Sequence, residues 1–307
     1  MKDINLRGII PAIALPMTED FQPDLPVLER YIDWLVAQGP VALAVNVDTG
    51  EGPHLSFDER RLVLQSVVRF VNGRCLVVAG LAGPYTDQAI LNARSAKDAG
   101  ADALLIFPIP AFQGQPLLPE LPYRYHKAIA DAVDMPLILF QLQPALGGVL
   151  YEPEVIARLL EIEQVVAIKE ASFDAVRFLQ TKSVLDASGR HISLLNGNDN
   201  FIFEALILGA QGALLGFSTL ATDLQVQMLE VVRKNDYITA WSLGHRLQPL
   251  ADVIFQRPVT DYRARTKEAL KLLGVFKNAV VRPPLLPLSP AEQESVYQAL
   301  TKAGLLT

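Results

Sequence analysis

Lys169 ends a short β-branched run, Val165-Val166-Ala167-Ile168-Lys169-Glu170-Ala171-Ser172, whose composition predicts a buried strand. Strand alternation sets Val165, Ala167 and Lys169 on one face and Val166, Ile168 and Glu170 on the other. A lysine in that place has three readings. It is an ammonium that snorkels to water, half of an ion pair with Glu170 or a neighbour, or an amine kept out of water for chemistry. Two further stretches bring small polar groups to the ends of apolar runs. Asp48-Thr49-Gly50-Glu51 follows Val41 to Val47, and Asn196-Gly197-Asn198-Asp199-Asn200 follows Ile192 to Leu195. The histidines (His54, His126, His191, His245) are scattered, and the single cysteine, Cys75, lies in an apolar run that makes it a small buried hydrophobe. No spacing suits a metal, and no Gly-x-Ser-x-Gly elbow points to serine chemistry.

The elements that must position these groups are legible as a repeat. Short apolar runs alternate with amphipathic segments from residue 8 onward. Gly8 to Leu15 is followed by a helix from Asp24 to Gln38, with Leu25, Leu28, Tyr31, Ile32 and Leu35 on one stripe. Val41 to Val47 is followed by a helix opening at Ser56, with Glu59 completing a capping box. Leu76 to Leu81, Ala103 to Phe107, Leu137 to Leu142, the lysine run, Ile192 to Leu195 and Ala213 to Phe217 continue the series. Their helices run from Thr86 to Asp98, after the loop Pro108 to Pro119 through Val133, from Glu152 to Glu161, and from Phe173 to about Ala187. A further helix ends at Gly209, and Ser218-Thr219 opens the last of the series.

Eight strand-helix units over roughly 220 residues fit a closed (β/α)8 TIM barrel. The near-continuous apolar strands suit a parallel sheet covered on both faces, and no dinucleotide-binding glycine loop supports an open one. Residues 221–307 read as helices only: Asp236 to Phe255, Ala264 to Leu273 and Pro290 to Ala303. The expected division is a barrel over 1–223 and C-terminal helices packed on it over 224–307. The chain has 307 residues, half of them hydrophobic, enough for one large core. With 27 basic and 33 acidic residues and no dense Lys/Arg tract, nucleic acid is a poor partner. Met1-Lys2-Asp3-Ile4-Asn5 opens no signal-peptide core, and no apolar run spans a membrane, so a cytoplasmic protein is expected.

In such a barrel the reactive groups gather where strands end. Lys169, Asp48, Thr49, Gly50, Glu51, Phe140, Gln141, Asn196, Gly197, Asp199, Gly216, Phe217 and Ser218 all fall there. A lysine amine among small polar neighbours is a set of parts for a Schiff base with a 2-oxo acid. The amine must be neutral to attack. At an ordinary pKa near 10.4 roughly one molecule in 2,500 is neutral at pH 7, and at a pKa near 7 about half are. The shift corresponds to about 4 to 5 kcal/mol, within what burial supplies.

The segments resemble the dihydrodipicolinate synthase/N-acetylneuraminate lyase family of lysine-dependent (β/α)8 enzymes along nearly the whole chain. Gly8-Ile9-Ile10-Pro11-Ala12 is similar to the opening strand. Asp48-Thr49-Gly50-Glu51 with Leu55-Ser56-Phe57-Asp58-Glu59-Arg60 resembles the carboxylate-binding signature and its helix. Ile168-Lys169-Glu170 resembles the Schiff-base strand, Asn196-Gly197-Asn198-Asp199 the Gly-Asp loop, and Gly212-Ala213-Leu214-Leu215-Gly216 the eighth strand. Lys267-Glu268-Ala269-Leu270 through Val281-Arg282-Pro283-Pro284-Leu285 resembles the C-terminal helical region.

The resemblance implies that Lys169 is the nucleophile and that Thr49 and Gly50 grip a substrate carboxylate, with Asn196, Gly197 and Leu214 shaping the pocket. It implies no cofactor and self-association as a dimer or tetramer. Three departures stand out. Val47-Asp48-Thr49 replaces Gly-Thr-Thr or Gly-Ser-Thr, Phe140 replaces a proton-shuttling tyrosine, and Ala145 matches the synthases' entrance arginine. The loop that lends a second tyrosine across a subunit interface reads Pro108-Ile109-Pro110-Ala111. Asp48 is then either a substitute acid/base or a carboxylate that caps a turn or pairs with Lys169. Phe107, Phe112, Phe140 and Phe217 make the pocket more apolar, which suits an apolar aldehyde half. The expected activity is a lyase, aldolase or dehydratase on pyruvate or another 2-oxo acid, distinct from the synthase. The alternatives are a non-catalytic binder of small carboxylates and dihydrodipicolinate synthase itself.

Overall fold

The computed structural model describes residues 4–114 and 116–306. Met1, Lys2 and Asp3 of the N-terminal reading, and residue 115 of the loop after the fourth strand, lie outside the described residues. The first four strands are β1 (Ile9–Pro11), β2 (Ala42–Val45), β3 (Leu76–Leu81) and β4 (Ala103–Ile106). The others are β5 (Leu137–Leu142), β6 (Val165–Ala171), β7 (Ser193–Asn196) and β8 (Gly212–Leu215). All pair in parallel in the order β1-β8-β7-β6-β5-β4-β3-β2. The Ala12–Ala44 bridge and the Ile13 N–H to Ala44 O bond bring β2 back to β1 and close the barrel.

Helices α1 (Leu25–Val36), α2 (Phe57–Val71), α3 (Thr86–Asp98) and α4 (Glu120–Val133) cover the first half. The second half is covered by α5 (Pro153–Leu159), α6 (Ala175–Ala187), α7 (Ile202–Ile207) and α8 (Thr222–Arg233). The starts follow the sequence: Asp24 caps α1, the Ser56–Glu59 capping box opens α2, and Asp174 caps α6. The C-terminal helices are α9 (Tyr237–Ile254), α10 (Tyr262–Leu272) and α11 (Pro290–Lys302). The expected 223/224 division falls inside α8.

Two apolar layers form because successive strand residues face opposite ways. Ile10, Val78, Leu105, Ile138 and Leu214 fill the barrel together with alanines 42, 44, 103 and 167. Leu43, Val45, Leu104, Leu139 and Leu215 pack outward under the helices. Leu6 joins the inner layer, and Cys75 packs only half-buried against the outer one. Among the described residues, no helix is long and apolar enough to cross a membrane.

Candidate active site

The strand that carries Lys169 departs from plain alternation. Leu137 pairs with Val165 but Ile138 pairs with Ala167, so Val166 is an extra residue, a β-bulge. Val165 therefore packs outward with Ile168, while Val166 and Ala167 both pack inward. The expected grouping of Val165 with Lys169 is corrected by this one-residue slip, which leaves Ala167 and Lys169 inside and Glu170 outside. Glu170 is fully engaged there. Its Oε1 accepts from the Ser172 N–H at 3.0 Å and its Oε2 from Asn198 Nδ2 at 2.7 Å. It braces the β6–β7 loops and is no counter-ion for Lys169.

Inside the mouth, Lys169 Nζ lies 4.2 Å from the centroid of the Phe140 ring, which meets Phe107 edge-on at 5.0 Å. The lysine stem runs past Gly197. A Cβ there would come within 2.9 Å of Lys169 Cε, 2.8 Å of Ala171 Cβ and 2.9 Å of the Glu170 carbonyl. Only glycine leaves that lane open. Burial pulls the ammonium down to about 8, against the opposing charges of Asp199 and Asp48. About one amine in ten is then neutral at pH 7, less than the half that a pKa of 7 would give.

Across the cavity, Asp48–Gly50 forms a 3₁₀ turn after β2. Its Asp48 and Thr49 N–H groups open the turn, where backbone donors have no partner within it. Helix α10 holds this turn from outside. Tyr262 Oη donates to Asp48 Oδ2 at 2.9 Å and lies 3.4 Å from Thr49 Oγ1. Arg263 donates from Nε to the Asp48 carbonyl at 2.9 Å and pairs through Nη2 with its carboxylate. Lys267, fully buried, pairs with the equally buried Glu51 and donates to the Val280 carbonyl at 2.7 Å. The Arg282 N–H reaches Glu51 Oε2 at 2.8 Å. Asp48 thus has Arg263, not Lys169, as its ion-pair partner.

The enclosed space is about 50 Å³, room for a few waters or a three-carbon acid. The structure brings Lys169, Asp48, Thr49, Phe140 and Gly197 to it, as the sequence implies. Gly50, Asn196 and Leu214, expected at the substrate, do not line it. Gly50 backs onto the Ile13 carbonyl, and Asn196 spends its side-chain amide on Asn198. Leu214 sits one layer deeper, opposite Ile10, and Gly216 takes the mouth position. Of the expected phenylalanines, Phe112 packs against Tyr125, and Phe217 lies separately in the outer layer; Phe173 and Phe255 line the cavity instead.

Two polar residues join them. Asp199 was legible as a strand-end carboxylate. It is buried and accepts the Phe217 N–H at 3.0 Å, and burial pushes its carboxyl up to about 7. Tyr262 was not legible, because the chain separates it from Thr49 by 213 positions.

Residues 5–303 match the sequence profile of the Dihydrodipicolinate synthetase family. A 4-hydroxy-tetrahydrodipicolinate synthase of Acidiphilium cryptum is 32% identical over 300 residues, covering 98% of this chain and 99% of that protein. Among solved structures, the chloride-inhibited dihydrodipicolinate synthase of Acinetobacter baumannii complexed with pyruvate is 30% identical with a TM-score of 0.86. That match covers 98% of this chain and 100% of the other. The E. coli K12 prophage protein YagE, of the dihydrodipicolinic acid synthase family and in complex with pyruvate, is 26% identical with a TM-score of 0.89. There the shares are 97% of this chain and 98% of the other. The fold and the lysine-bearing mouth define a (β/α)8-barrel enzyme. The chain belongs to the dihydrodipicolinate synthetase family, as a lyase, and the binder-only alternative gives way to that assignment.

Proposed function

We propose that the protein is a Schiff-base lyase, aldolase or dehydratase in which Lys169 attacks the carbonyl of pyruvate or another 2-oxo acid. The observation that carries this is the Lys169 amine set 4.2 Å from the Phe140 ring at the apolar mouth of the barrel, in one cavity with the Thr49 turn; burial there also draws its pKa down to about 8. Thr49 Oγ1 and the N–H groups of Asp48 and Thr49 receive the substrate carboxylate. That leaves the 2-oxo carbon toward Lys169. Attack forms a carbinolamine; a proton and the hydroxyl leave as water, and the iminium then accepts electrons from a breaking C–C or C–H bond. Asp48 serves as acid/base, held at the rim by Arg263 and Tyr262.

The reading includes divergence from the synthase. Among the described residues that line the cavity Lys169 is the one cation, and Phe107, Phe140, Phe173 and Phe255 line the same cavity. Nothing there receives a second carboxylate, which favours a neutral, apolar aldehyde half. A second reading, dihydrodipicolinate synthase, is favoured by the names of relatives about 30% identical. An aldol assay with pyruvate and a series of aldehydes separates the two. Turnover with apolar aldehydes exceeding that with aspartate semialdehyde, and lost in Lys169→Ala, supports divergence; the opposite order makes the protein a synthase. We assign it to the cytoplasm as a homo-oligomer, dimer or tetramer.

A further inference from the structure

Few groups at this cavity can handle a proton. Among the described residues lining it, only Asp48, Thr49, Lys169, Asp199 and Tyr262 carry an exchangeable proton or a carboxylate to receive one. Two of them are joined. Tyr262 Oη donates to Asp48 Oδ2 at 2.9 Å, and its other neighbour is Thr49 Oγ1 at 3.4 Å, on the carboxylate-gripping turn. The phenol is rigid: the buried ring stacks on Phe255, with centroids 5.0 Å apart and planes 20° apart. Asp48 is anchored by Arg263, yet a third of its side chain is open to solvent. The hydroxyl therefore joins the lysine-bearing cavity to a carboxylate that meets water. Asp199, the other carboxylate, is buried against the Phe217 N–H instead.

We propose that Tyr262 is a catalytic residue that carries protons between the lysine-bound substrate and Asp48. The inference rests on the Schiff-base reading above. When Lys169 has condensed with pyruvate and water has left, a C3 proton must go for the iminium to become an enamine. Tyr262 Oη accepts that proton as its own hydroxyl proton passes to Asp48 Oδ2. The C3–H electron pair becomes the C2=C3 bond, and the C2=N pair returns to nitrogen. In the cleavage direction, the C4 hydroxyl loses its proton by the same route as the C3–C4 bond breaks and the aldehyde departs. Asp48 then returns a proton through Tyr262 to C3, and one water hydrolyses the iminium to pyruvate and free lysine. Because one proton arrives as another leaves, no free phenolate forms. Burial holds the phenol well above its ordinary 10, so a relay of this kind is the form in which it can act.

The test needs only pyruvate. Exchange of its C3 protons for deuterium is followed by NMR, and iminium formation is followed in parallel by borohydride trapping and intact mass. Tyr262→Phe keeps trapping within a few-fold of the unmodified protein and slows exchange by about 10²-fold or more, the range of acid–base help. Exchange within a few-fold of normal overturns the proposal, as does joint loss of trapping and exchange, which would make Tyr262 a support for the pocket. Asp48→Asn, which keeps an acceptor for the phenol, covers the case of a Tyr262→Phe protein that does not fold. It must also slow exchange with trapping intact, and normal exchange in it overturns the relay. No trapping in the unmodified protein would remove the Schiff-base reading itself, a distinct failure.

Discussion

Lys169 is set by opposing effects of which burial is the larger: burial lowers its pKa to about 8, and the charges of Asp199 and Asp48 oppose that fall. The rate of iminium formation should therefore climb about tenfold per pH unit below about 7.5 and level off above about 8.5. Asp199→Asn removes one of the charges that favour the ammonium and keeps an acceptor for the Phe217 N–H. Its pH limb should move to lower pH in a trapping-rate profile; a limb that stays or rises would mean the carboxylate does not act on the amine. Gly197→Ala inserts a methyl within 2.9 Å of Lys169 Cε and of the Glu170 carbonyl; the carbonyl yields only if the strand moves, and the lysine stem yields only by leaving its lane. Trapping should fall by more than about tenfold, since small misplacements of a reacting group cost that much or more. A rate near normal would place the lysine stem elsewhere. Lys169, Thr49 and Gly197 were legible because each ends an apolar run. The nearness of Asp48 to Arg263 and Tyr262 was not, because no local pattern encodes a contact across 214 positions.

At the scale of elements, α10 does more than cover the barrel. Tyr262, Arg263 and Lys267 reach in turn the side chain, the backbone and the far end of the Asp48–Glu51 segment. The Glu51–Lys267 pair is wholly buried, so Lys267→Met strands a carboxylate inside the protein. Its expected cost is about 3–5 kcal/mol, read as a lower urea midpoint; a loss below about 1 kcal/mol would mean the pair is dispensable. Burial also pulls the Lys267 ammonium down, with Glu51 opposing. Strand and helix positions were largely legible from periodicity and caps, and β3, β5 and α3 fall on the expected residues. The bulge at Val166 was not, because a run of four apolar residues, Val165 to Ile168, looks alike in and out of register. Asn196 and Leu214 misled for a related reason. A strand end names a layer, and the neighbouring residue decides which side chain reaches the mouth.

For the whole molecule, counting strand-helix units was enough to reach the barrel, because each unit must bury one face and eight close the sheet. The extension was legible as helices, but its packing against the mouth was not. Whether Lys169 is a Schiff-base nucleophile is read from intact mass after incubation with pyruvate and borohydride, with the adduct mapped by peptide mass. One reduced pyruvyl group is expected, on Lys169, and none in Lys169→Ala. An unmodified protein that gains no adduct from pyruvate or larger 2-oxo acids, or an adduct that survives Lys169→Ala, would contradict it.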